Sequence, residues 1–401
     1  MFDLRSVEGP ARATPDREGR RAVEAQPVQP AAADEDIALL LAAGIAPALI
    51  AEALPHARQE GVPVHRVLVA EGMVAADGYV AMLAASLGPG VESWSSARHG
   101  IAKSSMAVVD ASLSFVAVEA TGPAPSEVRR RCRAIVSRGE RAVLVPAHRI
   151  EEAERPAERR QRLIAAANGL RRSAPLSSAG VPTPPWQKAA ACAIVGAVIG
   201  GLVVAPDLTA TALLAFLALP FLCVVTLRLA ALAVLLGGGA NTRQPPAPLT
   251  DAELPTYAVL VPLYREAAVL PELVAALARL DYPAAKLDIV LALEASDIES
   301  RAAAELIELP AFMRAIVVPD ALPRTKPKAL NYALSHARGE MIVVYDAEDI
   351  PEPDQLRRDA ALMRASKVAV GCVQARLAID NAGEGVIARG IMAQTPVAWR
   401  T

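Results

Sequence analysis

Residues 257–297 read YAVLVPLYREAAVLPELVAALARLDYPAAKLDIVLALEASD. Two almost unbroken apolar runs, YAVLVPLY (257–264) and LDIVLALE (287–294), enclose a stretch whose apolar residues recur at helical spacing, EAAVLPELVAALARL (266–280). A strand that faces water on one side alternates apolar with polar residues. A continuous run implies burial on both faces, the mark of a parallel sheet clothed by helices. The alternation continues with helix DIESRAAAELIEL (297–309), strand MRAIVVP (313–319), helix KPKALNYALSHA (326–337) and strand EMIVVY (340–345), followed by strand VAVGCVQARLAI (368–379). The expectation is an α/β domain over 250–401, a Rossmann-like, mostly parallel sheet with flanking helices.

Such sheets bind ligands at the carboxyl ends of their strands, so the polar residues there are the candidates. The first strand runs out at Pro262, Leu263, Tyr264, Arg265 and Glu266, and the second at Glu294, Ala295, Ser296 and Asp297. The run RTKPKALN (324–331), with Lys326, Lys328 and Asn331, precedes the fourth strand, which delivers Asp346, Glu348 and Asp349 into a Pro-rich turn. Acids at strand ends beside lysines describe a pocket for a divalent metal, Mg²⁺ or Mn²⁺, and a diphosphate. Hard cations take oxygen ligands and share themselves between few protein carboxylates and phosphate oxygens. The metal and a lysine then offset charge on a leaving diphosphate. Each element has a plainer explanation. The acids before IPEP could cap the next helix, Glu266 could answer a helix dipole, and the lysines could be solvated first-turn residues. Four such features in series favour the pocket.

These residues resemble the GT-A family 2 glycosyltransferases, particularly the membrane-embedded processive type that includes cellulose and hyaluronan synthases. VLVPLYRE resembles the opening strand, LEASD the nucleotide-binding acidic cluster, TKPKALNYAL the lysine-containing loop and helix, and YDAED the D-x-D metal motif. The resemblance implies a GT-A fold and inverting transfer from a UDP-sugar to a polysaccharide or lipid-linked acceptor. It places Pro262, Tyr264, Glu266, Glu294, Asp297, Lys326, Lys328, Asn331 and Asp346 around the nucleotide sugar. Glu294 and Asp297 would lie on the uracil and ribose side, Lys328 near the diphosphate, and Asp346 and Glu348 on the metal. Asp349 falls where the family varies. Two departures stand out: the metal motif is Asp-Ala-Glu, and neither a Thr-Glu-Asp motif nor a Gln-x-x-Arg-Trp motif precedes Thr401. No general base is identifiable. The expectation is a chain truncated in its acceptor half, with a degenerate, regulatory or scaffolding glycosyltransferase domain as the alternative.

Upstream, AAACAIVGAVIGGLVVAP (189–206) is apolar throughout. At about 1.5 Å per residue it makes about 27 Å of helix, enough for a hydrocarbon core. LTATALLAFLALPFLCVVTLRLAALAVLL (208–236) follows, interrupted only by Pro220 and Arg228. Two membrane helices are expected over 189–236. Arg171, Arg172 and Lys188 before them and Arg243 after them put both flanking domains on the cytoplasmic side of a bacterial inner membrane, in contact with lipid.

Residues 1–35 lack an apolar core for a signal peptide and read as a disordered tail, whereas 36–150 read as a small helical and α+β module. Its spacing resembles the N-terminal module of type II secretion ATPases, some of which bind cyclic di-GMP. Pro63, Val64 and His65 stand where the binding modules carry Arg-Leu-Gly, so packing or docking is the favoured role. Residues 151–188 read as a charged helix and linker, and Arg129, Arg130, Arg131 and Arg133 as a solvated helix face. Hydrophobic residues make up 53% of the 401, aromatics only 3%, and net charge is −2, which gives no general case for nucleic acid. Cys132, Cys192, Cys223 and Cys372 have no paired spacing and are expected to be reduced.

Overall fold

The computed structural model describes residues 30–97, 115–154, 156–178, 180, 182–236, 246–366 and 370–374. The chain divides into two compact units. The first comprises Met1–Arg159, Leu249–Asp320 and Ala333–Arg357, the second Arg160–Pro248, Ala321–Tyr332 and Arg358–Thr401.

The first unit begins with helices α1 (Pro30–Ala42), α2 (Pro47–Glu60), α3 (Val64–Ala70) and α4 (Ala76–Ser86). A three-stranded parallel sheet follows, ordered β1 (Val91–Ser93), β3 (Arg141–Val145), β2 (Phe115–Glu119), with α5 (Pro125–Val136) in the β2–β3 crossover. The α+β character expected of this module is seen in β1, β2 and β3, and 98–114 lie outside the described residues. Proline in the first turn suits α2 and α5, because the amide it lacks has no partner there. On α5, Val128, Cys132 and Ile135 are buried at spacings of four and three, while Arg129 pairs with Glu35 and Arg131 with Glu127. Arg130, Arg131 and Arg133 are exposed, the solvated face expected of this cluster. Leu40, Ile50, Leu68, Tyr79, Leu83, Val128 and Leu144 belong to one core. The short helix α6 (Ile150–Ala153) closes this part.

The second sheet of this unit is parallel, ordered β6 (Met313–Val318), β5 (Leu287–Glu294), β4 (Tyr257–Leu263), β7 (Met341–Val344). The two apolar runs become its central strands, and every residue of β5 is buried. β7 differs from the expected continuous burial. It lies at the edge among the described residues, and Ile342 and Val344 are exposed.

Both sheets are joined by a charge network, buried at Asp288 and Arg314 and half-buried at Arg338 and Glu119. Asp288 of β5 receives Arg314 Nε and Nη2 at 3.0 and 3.1 Å and Arg338 Nη2 at 2.9 Å. Arg338 Nη1 reaches Glu119 at the end of β2 at 3.1 Å. Glu119 also accepts from the Thr121 and Gly122 amides, each at 2.9 Å. Burial alone would raise the Asp288 carboxyl, but Arg338 and Arg314 outweigh it and hold it well below the usual carboxylate range. Lys286, also buried, donates to the carbonyls of Asp251, Ala252 and Leu254 and so pins the segment entering β4.

The remaining helices are α7 (Pro156–Ser173), α8 (Pro185–Val204), α9 (Pro206–Leu236), α10 (Leu270–Ala278), α11 (Ile298–Leu306), α12 (Lys326–Leu334) and α13 (Gln355–Ala365). In the second unit, α8 and α9 are long and apolar enough to cross a membrane, with mean hydropathy of 1.8 and 2.4 over their best 18-residue windows. None of those windows is buried in protein. A Cβ on Gly201 would lie 2.6 Å from Thr209 Oγ1, so glycine lets the hairpin close. Thr209, Thr211 and Thr226 return their hydroxyls to the carbonyls four residues back, so these three donors are paired on an apolar surface. All four cysteines are free thiols.

Candidate active site

The mouth of the second sheet follows from unequal strand lengths. β7 stops where Val344 pairs Leu260, while β4 continues to Leu263 beside Leu293 of β5. The Tyr345 amide donates to Leu260 O at 3.2 Å, which shows that Leu260 directs its backbone groups toward β7. Pro262 has the same parity, so its missing N–H faces the side where β7 has ended and no ladder bond is lost. Proline here ends the β4–β7 pairing and opens a notch. Asp346 leaves the sheet at that notch.

The turn after β7 is built by its own acids. Asp349 Oδ2 accepts the Asp346 amide at 2.8 Å, and the Asp349 amide donates to Asp346 O at 3.1 Å. Asp349 therefore holds the turn. Ala347 is buried, with Asp346 half-buried and Glu348 exposed on either side of it. Two oxygen-bearing side chains one residue apart suit a divalent ion that completes its shell elsewhere. Asp346 and Glu348 are two hard oxygen donors, the chemistry a divalent ion takes. Among the described residues, no group of three or more His, Cys, Asp or Glu that could hold a metal ion is found.

At the neighbouring strand ends, Glu294 is buried at the last position of β5. Asp297 is the N-cap of α11, with Oδ1 accepting from the Ser300 amide at 3.2 Å and Oδ2 from the Arg265 amide at 2.5 Å. Burial works to raise the Asp297 carboxyl, but the Arg265 amide and the Ser300 hydroxyl and amide prevail and lower it. The Glu266 amide donates to Ser300 Oγ at 3.0 Å. Tyr264 is 52% exposed, and the Arg265 guanidinium lies 5.3 Å from its ring centroid. Pro262, Tyr264, Glu266, Glu294, Asp297, Asp346 and Glu348 are therefore all at the carboxyl edge of one sheet. Ser300 escaped sequence reasoning, although Asp-x-x-Ser ahead of a helix is a legible capping pattern.

Lys326, Lys328 and Asn331 belong to the second unit. Lys326 is exposed, and Lys328 is buried with Nζ donating to Ala321 O at 3.3 Å. Asn331 Nδ2 donates to Ala166 O of α7 at 3.0 Å, a bond that ties two stretches of that unit together. A cleft of about 1110 Å³ in the first unit lies elsewhere. Thr256, Leu287, Asp288 and Met313 line it at the amino ends of the strands, together with Arg66 and His148.

Residues 255–395 match the family model described as glycosyltransferase like family 2. The chain carries a family 2 glycosyltransferase domain. A probable glycosyltransferase, YdaM of Bacillus subtilis (strain 168), is 29% identical over 146 residues, covering 36% of this chain and 34% of that protein. The beta-monoglucosyldiacylglycerol synthase of Trichormus variabilis is 32% identical over 145 residues, covering 36% and 31%. Among solved structures, the mannosyltransferase PcManGT from Pyrobaculum calidifontis, in complex with GDP-Man and Mn²⁺, is similar at 26% identity. That match has a TM-score of 0.31 and covers 40% of this chain and 48% of that one. The chain spans about a third of the length of the curated relatives it matches. The family 2 domain begins two residues before β4 and takes in the whole second sheet, with every strand-end acid named above.

Proposed function

We propose that this protein is a membrane-anchored family 2 glycosyltransferase that moves a sugar from a UDP-sugar to a lipid or polysaccharide acceptor with inversion. The single observation that carries the proposal is the Asp346-Ala347-Glu348 turn, set in the notch that Pro262 opens beside β4. A divalent ion held there would supply Lewis-acid stabilisation of the leaving diphosphate. Asp346 and Glu348 hold it, Asp349 keeps their turn closed, and Tyr264 and Glu294 flank the nucleotide. Lys328 is assigned to the diphosphate on its family position alone.

A lipid acceptor is the preferred form of the proposal. A relative is named for a glucosyldiacylglycerol product, and α8 and α9 offer surfaces fit for a bilayer. The basic residues flanking the hairpin support a cytoplasmic site on the inner membrane. In the N-terminal module, His65 is fully buried and stacks on Tyr79 with ring centroids 5.9 Å apart. That use of the position supports docking in preference to cyclic di-GMP binding.

The test incubates the full chain in nanodiscs with UDP-glucose, UDP-galactose or GDP-mannose, Mn²⁺, and diacylglycerol or total bacterial lipid. Acceptor-dependent release of UDP from one donor, abolished in Asp346→Ala, is the expected result. Donor consumption that Asp346→Ala leaves intact would remove the proposal.

A further inference from the structure

Arg265 has φ of 61°, the only positive φ at a non-glycine position among the described residues. L-residues avoid this region because Cβ crowds the backbone, so something outside the turn must hold it there. Two side chains of the next βα unit do so. Asp297 Oδ2 accepts the Arg265 amide at 2.5 Å, and Ser300 Oγ accepts the Glu266 amide at 3.0 Å. The latch is anchored in turn, since Asp297 Oδ1 takes the Ser300 amide at 3.2 Å at the start of α11. Both Asp297 oxygens are thus engaged by backbone donors, and the residue is only 5% exposed. What the turn presents outward is the Tyr264 ring with the Arg265 guanidinium against it.

We propose that Asp297 and Ser300 are positioning residues that fix the Tyr264–Arg265–Glu266 turn as a preformed aromatic and cationic platform for the nucleotide, without touching the nucleotide themselves. The proposal rests on the donor-site assignment made above. It gives Asp297 a role through the Arg265 amide in place of direct contact with the nucleotide.

A residue that contacts the nucleotide and a residue that holds a turn respond differently to glycine. Glycine adopts positive φ at little cost, so Arg265→Gly lets the turn form without its latch. The test uses the full chain in detergent micelles, UDP with Mn²⁺ as the probe, and a cycle of wild type, Asp297→Asn, Arg265→Gly and the double variant. Asp297→Asn alone weakens UDP binding by about tenfold, the effect of one lost charge-assisted hydrogen bond. In the Arg265→Gly background the same change costs little. Equal weakening in both backgrounds marks a direct contact and overturns the proposal. Hydrogen exchange of the peptide spanning 263–267 supplies a second readout that needs no ligand. Exchange is slow in wild type and faster in both Ser300→Ala and Asp297→Asn. Unchanged exchange overturns the latch whatever the binding result, whereas absence of UDP binding by wild type with Mn²⁺ defeats the donor-site assignment instead.

Discussion

Gly339 shows how little room a single position can have. A Cβ there would meet the Ala258 amide nitrogen at 2.2 Å, so the segment entering β7 can pass β4 only as bare backbone. Gly339→Ala must displace one strand or the other, and about 3 kcal/mol of lost stability follows from overpacking of this kind. The midpoint of urea denaturation measures it. His65 makes a prediction of a different sort. Burial first, and then the charge of Arg66, push its imidazole down from the ordinary value near 6.5 to about 3. The unfolded chain binds a proton below about 6.5 that the folded chain refuses, so His65 lowers stability as pH falls from 6.5 toward 3 and has no effect above. His65→Leu flattens the pH dependence of thermal stability in that window. A steeper acid loss in the variant contradicts the assignment. Neither residue was legible as special in the sequence. A glycine between charged residues looks like an ordinary turn, and a histidine in HRVLV gives no sign of stacking on a tyrosine fourteen residues on.

Among the elements, the two central strands were the readable part, whereas of the strand expected over 368–379 only 370–374 are described and they form none. LDIVLALE became β5 residue for residue, and YAVLVPLY lost only Tyr264 from β4. Full burial on both faces leaves a sequence signal that needs no partner to interpret. Helix limits were less legible. The expected start at Glu266 moves to Leu270, because Pro271 suits a first turn and the residues before it serve the Arg265 turn. The charge network left no local sign at all, since Glu119 and Arg338 lie 219 positions apart. Its strength is testable. Asp288→Asn leaves the buried Arg314 and the half-buried Arg338 around a neutral amide and costs about 3–5 kcal/mol, the usual penalty for breaking a buried pair such as Asp288–Arg314. Thermal unfolding of the full chain gives the value, and a change under about 1 kcal/mol contradicts the account.

At the scale of the molecule, the N-terminal module and the glycosyltransferase sheet share one compact unit. Gln59 donates to Asp251 at 2.9 Å, Glu151 accepts the Val317 amide at 2.9 Å, and Glu119 holds Arg338. A chain beginning at Leu249 exposes those groups, and it is expected to yield no cooperative unfolding transition. The hairpin makes a separate prediction through its thiols. Cys192 and Cys223 lie within α8 and α9, whereas Cys372 lies outside both. In sealed inner-membrane vesicles a membrane-impermeant maleimide leaves Cys192 and Cys223 unlabelled until detergent is added. Ready labelling of both in intact vesicles contradicts membrane insertion. The central claim is that the notch between β4 and β7 holds a metal and a nucleotide diphosphate, and calorimetric titration of UDP into the full chain tests it most directly. Binding is expected with Mn²⁺, to be lost on chelation, and to weaken at least about tenfold in Asp346→Ala, the cost of removing one charged ligand. UDP binding that is indifferent both to chelation and to Asp346→Ala contradicts the claim.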